Sequence, residues 1–87
     1  MAAIDPNTDF WSLTPSRLAS QCALIAQGSV DGADDADRAE AANLVTEWQE
    51  ALDMPIQAFE DRERQAAQVG ALRKRTIEIL VRVSNAG

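Results

Sequence analysis

The chain contains no histidine and no tyrosine, and Cys22 is the single cysteine among its 87 residues. Without histidine it lacks the most common general base and the most common transition-metal ligand of proteins. A lone cysteine cannot form an intramolecular disulfide, and no histidine is available to lower the pKa of its thiol. We therefore expect a protein that is not an enzyme, holds no cofactor and no metal ion, and uses Cys22 as a small buried hydrophobe.

Long apolar runs are also missing. No stretch approaches the roughly 20 residues of a membrane span, and none follows a basic start as in a signal peptide. The expected compartment is therefore the cytoplasm, with no membrane partner. Hydrophobic residues at 46% and charged residues at 25% are typical of a folded domain. A chain of this length forms one domain with a small core, and oligomerisation is a common source of added stability.

The net charge of −6 is unevenly distributed. Residues 1–53 hold ten acidic and two basic side chains, whereas residues 54–87 hold four acidic and six basic ones. Binding to nucleic acid would depend on Arg73, Lys74, Arg75 and Arg82 against the field of the remaining chain, so nucleic acid is a disfavoured partner. Richness in alanine, aspartate and arginine, with one lysine, is typical of bacterial or phage coding sequences of high GC content.

The N-terminal arm, residues 1–13, opens with turn-forming residues from Asp5 to Asp9. Phe10, Trp11 and Leu13 follow, and we expect these side chains to clamp the arm onto the helices, since each aromatic ring buries on the order of 150–250 Å². The alternative is that the aromatic pair is an exposed anchor for a partner protein.

Helix 1 is predicted over residues 15–27. Thr14 is suited to cap its free N–H groups, Pro15 to the first helical position, and Gly28 to a left-handed stop. Leu18, Cys22 and Ile25 form its apolar stripe.

Helix 2 is predicted over residues 34–52, with an apolar stripe at helical spacing: Ala41, Leu44, Val45, Trp48 and Leu52. The acidic residues from Asp31 to Asp37 are expected to cap the helix and to occupy its first turn. A calcium loop beginning at Asp31 would need an acidic ligand at one position, glycine at a second and glutamate at a third, and this chain has alanine at all three. We therefore reject this metal site.

Helix 3 is predicted over residues 55–84, with Pro55 near its first turn and two apolar seams. The first seam comprises Ile56, Phe59, Ala66, Gly70, Ile77 and Val81, and the second comprises Val69, Leu72, Thr76, Ile79 and Val83, with Leu80 between them. Two seams require two partners. A continuous helix that is only kinked at Pro55 is the alternative to a tight turn.

Helices 2 and 3 are predicted to form an antiparallel hairpin about Met54. This register places Asp34, Asp35 and Asp37 level with the basic residues 73–75, and small residues 41–42 level with 66–67. Residues 76–83 then extend beyond helix 2 as an uncovered apolar end. A β-strand is the alternative for this end, but no second strand is evident to pair with it.

The uncovered end has two candidate covers, helix 1 with the aromatic arm or a second copy of the chain. We favour the homodimer, so the predicted fold is an all-α, three-helix protein that dimerises into a larger helical bundle. The residues predicted at the interface are Val69, Leu72, Thr76, Ile79, Leu80, Val83, Phe10 and Trp11.

An acidic face on and before helix 2 is the second candidate surface. Its members are Asp31, Asp34, Asp35, Asp37, Glu40, Glu47 and Glu50. The sequence thus predicts a non-enzymatic protein–protein interaction module, an adaptor, assembly subunit or inhibitor, that acts through helix packing. The alternative is a small acidic inhibitor, encoded by a phage, whose acidic face imitates DNA and docks on a basic nucleic-acid-binding protein.

Overall fold

A computed structural model describes residues 3–86, and its helices confirm the predicted all-α architecture. A single 3-10 turn covers Phe10–Ser12. It is followed by α1 at Pro15–Ala26, α2 at Asp35–Leu52 and α3 at Phe59–Ala86. None of these helices is both long enough and apolar enough to cross a membrane.

The ends of α1 follow the predicted chemistry. The Thr14 hydroxyl accepts a hydrogen bond from the Arg17 backbone N–H at 3.2 Å, and Pro15 occupies the first turn. Gly28 has a φ of 76°, a left-handed conformation that glycine adopts without steric cost. The helix therefore ends one residue earlier than predicted, just before this glycine.

The start of α2 is fixed by a capping box. The Asp34 carboxylate accepts from the Asp37 backbone N–H at 2.8 Å, and the Asp37 carboxylate accepts from the Asp34 N–H at 3.2 Å. Asp35 and Asp37 lie in the first turn, where negative charge favours the helix dipole. The predicted capping role of these acids is confirmed for Asp34 and Asp37.

The predicted start of the third helix at Pro55 is wrong, because α3 begins at Phe59. The Asp61 carboxylate accepts from the backbone N–H groups of Gln57 and Ala58, both at 3.1 Å. These bonds satisfy donors that a helix start leaves free, so the first turn forms where Asp61 reaches back. Residues 54–58 form a non-helical connection between α2 and α3.

The hydrophobic core lies between α1, α2 and the C-terminal half of α3, with Phe10 and Val30 closing its ends. Leu18, Cys22 and Ile25 enter it from α1 as predicted. The members from α2 are Ala41, Leu44, Trp48 and Ala51. In place of Leu52, which is exposed, Ala51 completes the buried stripe of α2.

The register between α2 and α3 differs from the prediction. Arg82 binds Asp37 at 2.7 Å and Glu40 at 3.0 Å, and Arg75 binds Glu47 at 2.8 Å. The acidic start of α2 therefore meets Arg82 rather than residues 73–75. The extended connection at 54–58 moves the turn farther along the chain, and every cross-helix pair moves with it.

The N-terminal half of α3 projects beyond the other two helices. The molecule measures 43 × 23 × 16 Å, and the 28 residues of α3 span about 42 Å, so α3 runs its full length. The 18 residues of α2 span only about 27 Å. The buried residues of α3 begin at Leu72. Toward the N-terminus its contacts are reduced to Val69, which is partly buried against the core, and to the hydrogen bond from Gln65 Nε2 to the Ala51 carbonyl at 2.9 Å, so the first turns of α3 extend into solvent.

Candidate interaction surface

The stretch from residue 52 to residue 71 contains no buried residue. It includes the connection to α3 and the projecting half of that helix, residues 59–71. Three large apolar side chains in it are exposed, Leu52, Ile56 and Phe59, and Phe59 is 72% exposed. A bulky aromatic at this exposure contributes nothing to the core of its own chain, so this stretch is the first candidate for a contact with another molecule.

One face of α3 is exposed along most of its length. We define the outer face as Phe59, Glu63, Ala67, Gly70, Lys74 and Val81, all exposed to solvent. At about 100° per residue these six lie within about 80° of one another. Their spacing is three or four residues, apart from one seven-residue step past the buried Ile77, and such spacing is the pattern of a helix seam that packs against another helix.

Gly70 has no structural explanation within the chain. A Cβ placed on it would meet no atom within 4 Å, so its own fold leaves room for a side chain. Glycine inside a helix costs roughly 0.5–1 kcal/mol relative to alanine. The residue therefore weakens an exposed helix without serving any close contact inside the chain.

The structure places most of the predicted interface inside the chain, which corrects that prediction. Leu72, Thr76, Ile79, Leu80, Val83 and Phe10 are buried in the core, and Val69 is partly buried against it. The uncovered apolar end predicted at residues 76–83 is absent, because the shifted register brings α1 and α2 over the second seam. The first seam is the exposed one, except for Ile77, which is buried.

The two aromatics of the arm have different environments. Phe10 is buried and Trp11 is 62% exposed, so the predicted clamp is confirmed for Phe10 and wrong for Trp11. The Arg73 guanidinium donates hydrogen bonds to the Leu13 carbonyl at 2.7 Å and the Trp11 carbonyl at 3.2 Å. Arg73 therefore ties the arm to α3 and does not serve the acidic start of α2.

A buried polar cluster joins the three helices at Thr76. The Thr76 hydroxyl oxygen accepts from Trp48 Nε1 at 2.9 Å and from the Cys22 thiol at 3.7 Å. Burial raises the pKa of the Cys22 thiol, which disfavours the reactive thiolate. The environment of Cys22 is that of a core residue, and the periodicity of the sequence did not foresee its partner on α3.

The acidic face is largely neutralised by arginine. Asp37 and Glu40 bind Arg82, Glu47 binds Arg75, and Asp35 binds Arg38. The hydrogen bonds that the guanidinium groups donate to these carboxylates raise the pKa of Arg82, chiefly through Asp37, and the pKa of Arg75, through Glu47. Asp34 is engaged in the capping box. Asp31 and Glu50 remain outside these contacts, so the seven residues do not form a uniformly negative surface.

A groove of about 400 Å³ lies between the arm, α1 and the following loop. Its lining is mostly apolar, with Ile4, Phe10, Leu13, Leu24 and Val30 among its residues. Among the lining residues that the structure describes, Asp5 is the one ionisable group, and its carboxylate accepts from the Asn7 backbone N–H at 2.9 Å. Such a lining offers no acid and base pair. Within residues 3–86, no three ionisable or thiol ligands gather where they would hold a metal ion.

The chain matches no protein-family model, and no curated protein or solved structure is significantly similar to it. The candidate surface therefore depends on the geometry of the chain itself. Sequence periodicity identified the first seam as a face of the helix, but it assigned the exposed role to the second. The sequence feature that distinguishes the exposed seam from the buried one is the presence of small residues, because such side chains bury little area in a core. These residues are Ala66, Ala67, Gly70 and Ala71.

Proposed function

We propose that this chain is a non-enzymatic protein–protein interaction module that acts through helix packing. The projecting half of α3 supplies the docking surface, and α1, α2 and the C-terminal half of α3 supply a folded base that holds it. The order of the α2–α3 contacts, from Ala51 with Gln65 to Asp37 with Arg82, supports an antiparallel hairpin as this base.

The observation that carries this proposal is the exposure of Phe59 at 72% on the half of α3 that holds no buried residue. Burying a side chain of this kind contributes about 1.5–3 kcal/mol, which only another molecule can provide here. Exposed aromatic anchors with apolar neighbours are typical of the central residues of protein interfaces. The polar and charged residues around Phe59, Glu60 to Arg64, fit the rim of such a contact.

Substitution of the anchor tests the proposal. The variant Phe59→Glu is expected to fold with an unchanged helical circular dichroism spectrum, because the side chain lies outside the core. In affinity capture from the native cell with the tagged chain, it is expected to lose the protein that the wild-type chain retains, whether that protein is an untagged copy or another molecule.

Leu24→Glu is the matched control, since Leu24 is also an exposed apolar residue, at 40%, but lies on α1 beside the groove. Retention by Leu24→Glu together with loss by Phe59→Glu supports α3 as the docking surface. Loss with Leu24→Glu alone would transfer the function to the groove and contradict the proposal.

A further inference from the structure

The outer face of α3 carries one acidic and one basic side chain that are unused by the fold. Glu63 and Lys74 are exposed, and neither forms an ion pair within residues 3–86. Of the nearby ionic groups, Arg64 lies near Asp61 and Arg75 binds Glu47. Glu60, Arg62 and Glu78 form no ion pair within the described residues, but they lie outside the outer face. The two free charges lie on the same stripe of the helix as Ala67 and Gly70.

This stripe is complementary to itself when two copies of α3 run in opposite directions. With the midpoint between Gln68 and Val69, Glu63 and Lys74 are equally far from it on either side. Each Glu63 therefore comes level with Lys74 of the second helix, and Ala67 comes level with Gly70. Symmetric dimers require such a self-complementary patch.

The small residues at the centre of the stripe allow the two helices to approach closely. The distance between the axes of two packed helices depends on the side chains at the contact. Alanine opposite glycine permits an interaxial distance at the low end of the usual 8–10 Å range. This contact supplies the reason for Gly70 that the single chain lacks. A side chain here would cost nothing in the monomer, where no atom lies within 4 Å of an added Cβ.

The large apolar residues of the outer face are also matched in this arrangement. Phe59 comes level with Glu78 of the second copy and lies within one turn of Val81, which is 42% exposed. Each end of the paired helices therefore places the exposed aromatic ring beside an exposed aliphatic side chain.

The folded bases of the two copies do not obstruct this pairing. In each chain α1 and α2 cover the opposite side of α3, where Leu72, Thr76 and Val83 are buried. On the outer face of the same turns Ile77 is buried, but Lys74 and Val81 stay exposed. The projecting half of one helix can therefore contact the C-terminal half of the other through these two residues.

We propose that a second copy of this chain covers the outer face, with the two α3 helices antiparallel and Glu63 paired to Lys74 across the two-fold axis. This inference rests on the proposed function, and it names the partner and the register. The dimer that was expected from the sequence is retained, but through the first seam and not through the second.

Charge exchange tests the register. In sedimentation equilibrium the wild-type chain is expected to show twice its monomer mass of 9.4 kDa. Lys74→Glu and Glu63→Lys are each expected to weaken the dimer roughly tenfold, because both symmetric pairs become repulsive. The double variant E63K/K74E restores both pairs and is expected to dimerise within about threefold of wild type.

Gly70→Leu separates folding from association. It is expected to raise the thermal midpoint under dilute, monomeric conditions, because leucine is a better helix former than glycine, and to weaken the dimer at least tenfold by forcing the helices apart. Ala42→Leu, at an exposed position of α2, is the control and should leave the dimer intact. A Gly70→Leu variant that dimerises as well as wild type would overturn the proposed contact.

The outcomes distinguish this inference from the proposed function. A wild-type chain that remains at monomer mass at about 1 mM, where even a weak dimer is visible, overturns self-association. If Phe59→Glu nevertheless loses a different captured protein, α3 remains a docking surface and only its partner is wrong. A wild-type dimer that survives Phe59→Glu and both charge reversals overturns the assignment of the outer face.

Discussion

At the scale of single residues, the Thr76 hydroxyl is the point on which the polar interior depends. It accepts from a buried indole and from a buried thiol, so one oxygen satisfies groups on α1 and α2. Within the described residues, no buried side-chain nitrogen or oxygen lacks a hydrogen-bond partner. Removing this oxygen would leave the Trp48 N–H buried without an acceptor.

We expect Thr76→Val to lower the free energy of unfolding by about 1–3 kcal/mol, the cost of an unsatisfied buried donor. Thr76→Ser keeps the hydroxyl and should lose less. Urea unfolding followed by circular dichroism measures both. In a Trp48→Phe background the penalty for Thr76→Val should shrink, because the donor is gone. An equal penalty in both backgrounds would show that the hydrogen bond is not the cause.

The buried thiol predicts a loss of stability at alkaline pH. Because burial raises the pKa of Cys22, the unfolded chain releases its proton first, near the ordinary value of about 8.5. Below that pH the thiol is protonated in both states and its contribution is constant. Above it, stability should fall with a slope of at most about 1.4 kcal/mol per pH unit until the folded thiol also ionises. Cys22→Ala removes this component of the slope, which unfolding titrations between pH 8 and pH 10 would measure against wild type.

Adjacent aromatic residues show what periodicity cannot resolve at this scale. Phe10 and Trp11 were both assigned to the arm's contact with the helices, yet only Phe10 is buried. Both side chains are aromatic, so residue type alone does not predict which of them is buried. The outcome depends on a single 3-10 turn at Phe10–Ser12 and on the Arg73 bonds to neighbouring carbonyls, and neither has a sequence signal.

At the scale of elements, the helix ends were predictable because their signals are local. Thr14 with Pro15, Gly28, and Asp34 each act within a few residues, and each is found in its expected role. The start of α3 was not predictable, because two competing signals for a helix start lie close together. Pro55 is suited to a first turn, but the Asp61 carboxylate caps the backbone at residues 57 and 58 and fixes the start at Phe59.

The Asp34 cap supports an element-scale prediction that separates capping from surface charge. Asp34→Ala should lower the free energy of unfolding by about 0.5–2 kcal/mol, whereas Asp34→Asn should change it little, since asparagine caps equally well. Thermal or urea unfolding of the two variants measures the difference. A large loss with Asp34→Asn would mean that the carboxylate charge, and not its hydrogen bond, stabilises the start of α2.

At the scale of the whole molecule, the connection between α2 and α3 was mispredicted, and this changed which face of α3 was expected to be exposed. Both seams of the third helix were recognised from spacing alone, and α3 carries both. A tight turn at Met54 would have exposed residues 76–83, but the non-helical connection moves α2 toward the C-terminal end of α3. Local patterns define which faces a helix has, whereas the length of a connection decides which face is covered.

The uneven packing along α3 predicts uneven hydrogen exchange. At low concentration the amides of residues 62–70 should exchange faster than those of residues 76–83, because a helical segment of this length with few tertiary contacts is marginal in water. Raising the concentration should slow exchange selectively in residues 62–70, since the second copy would cover the projecting half. Mass spectrometry of peptides from the two segments gives both rates. Equal protection along α3 in the dilute chain would show that the projecting half is stabilised within the monomer, and would remove the physical reason for a partner there.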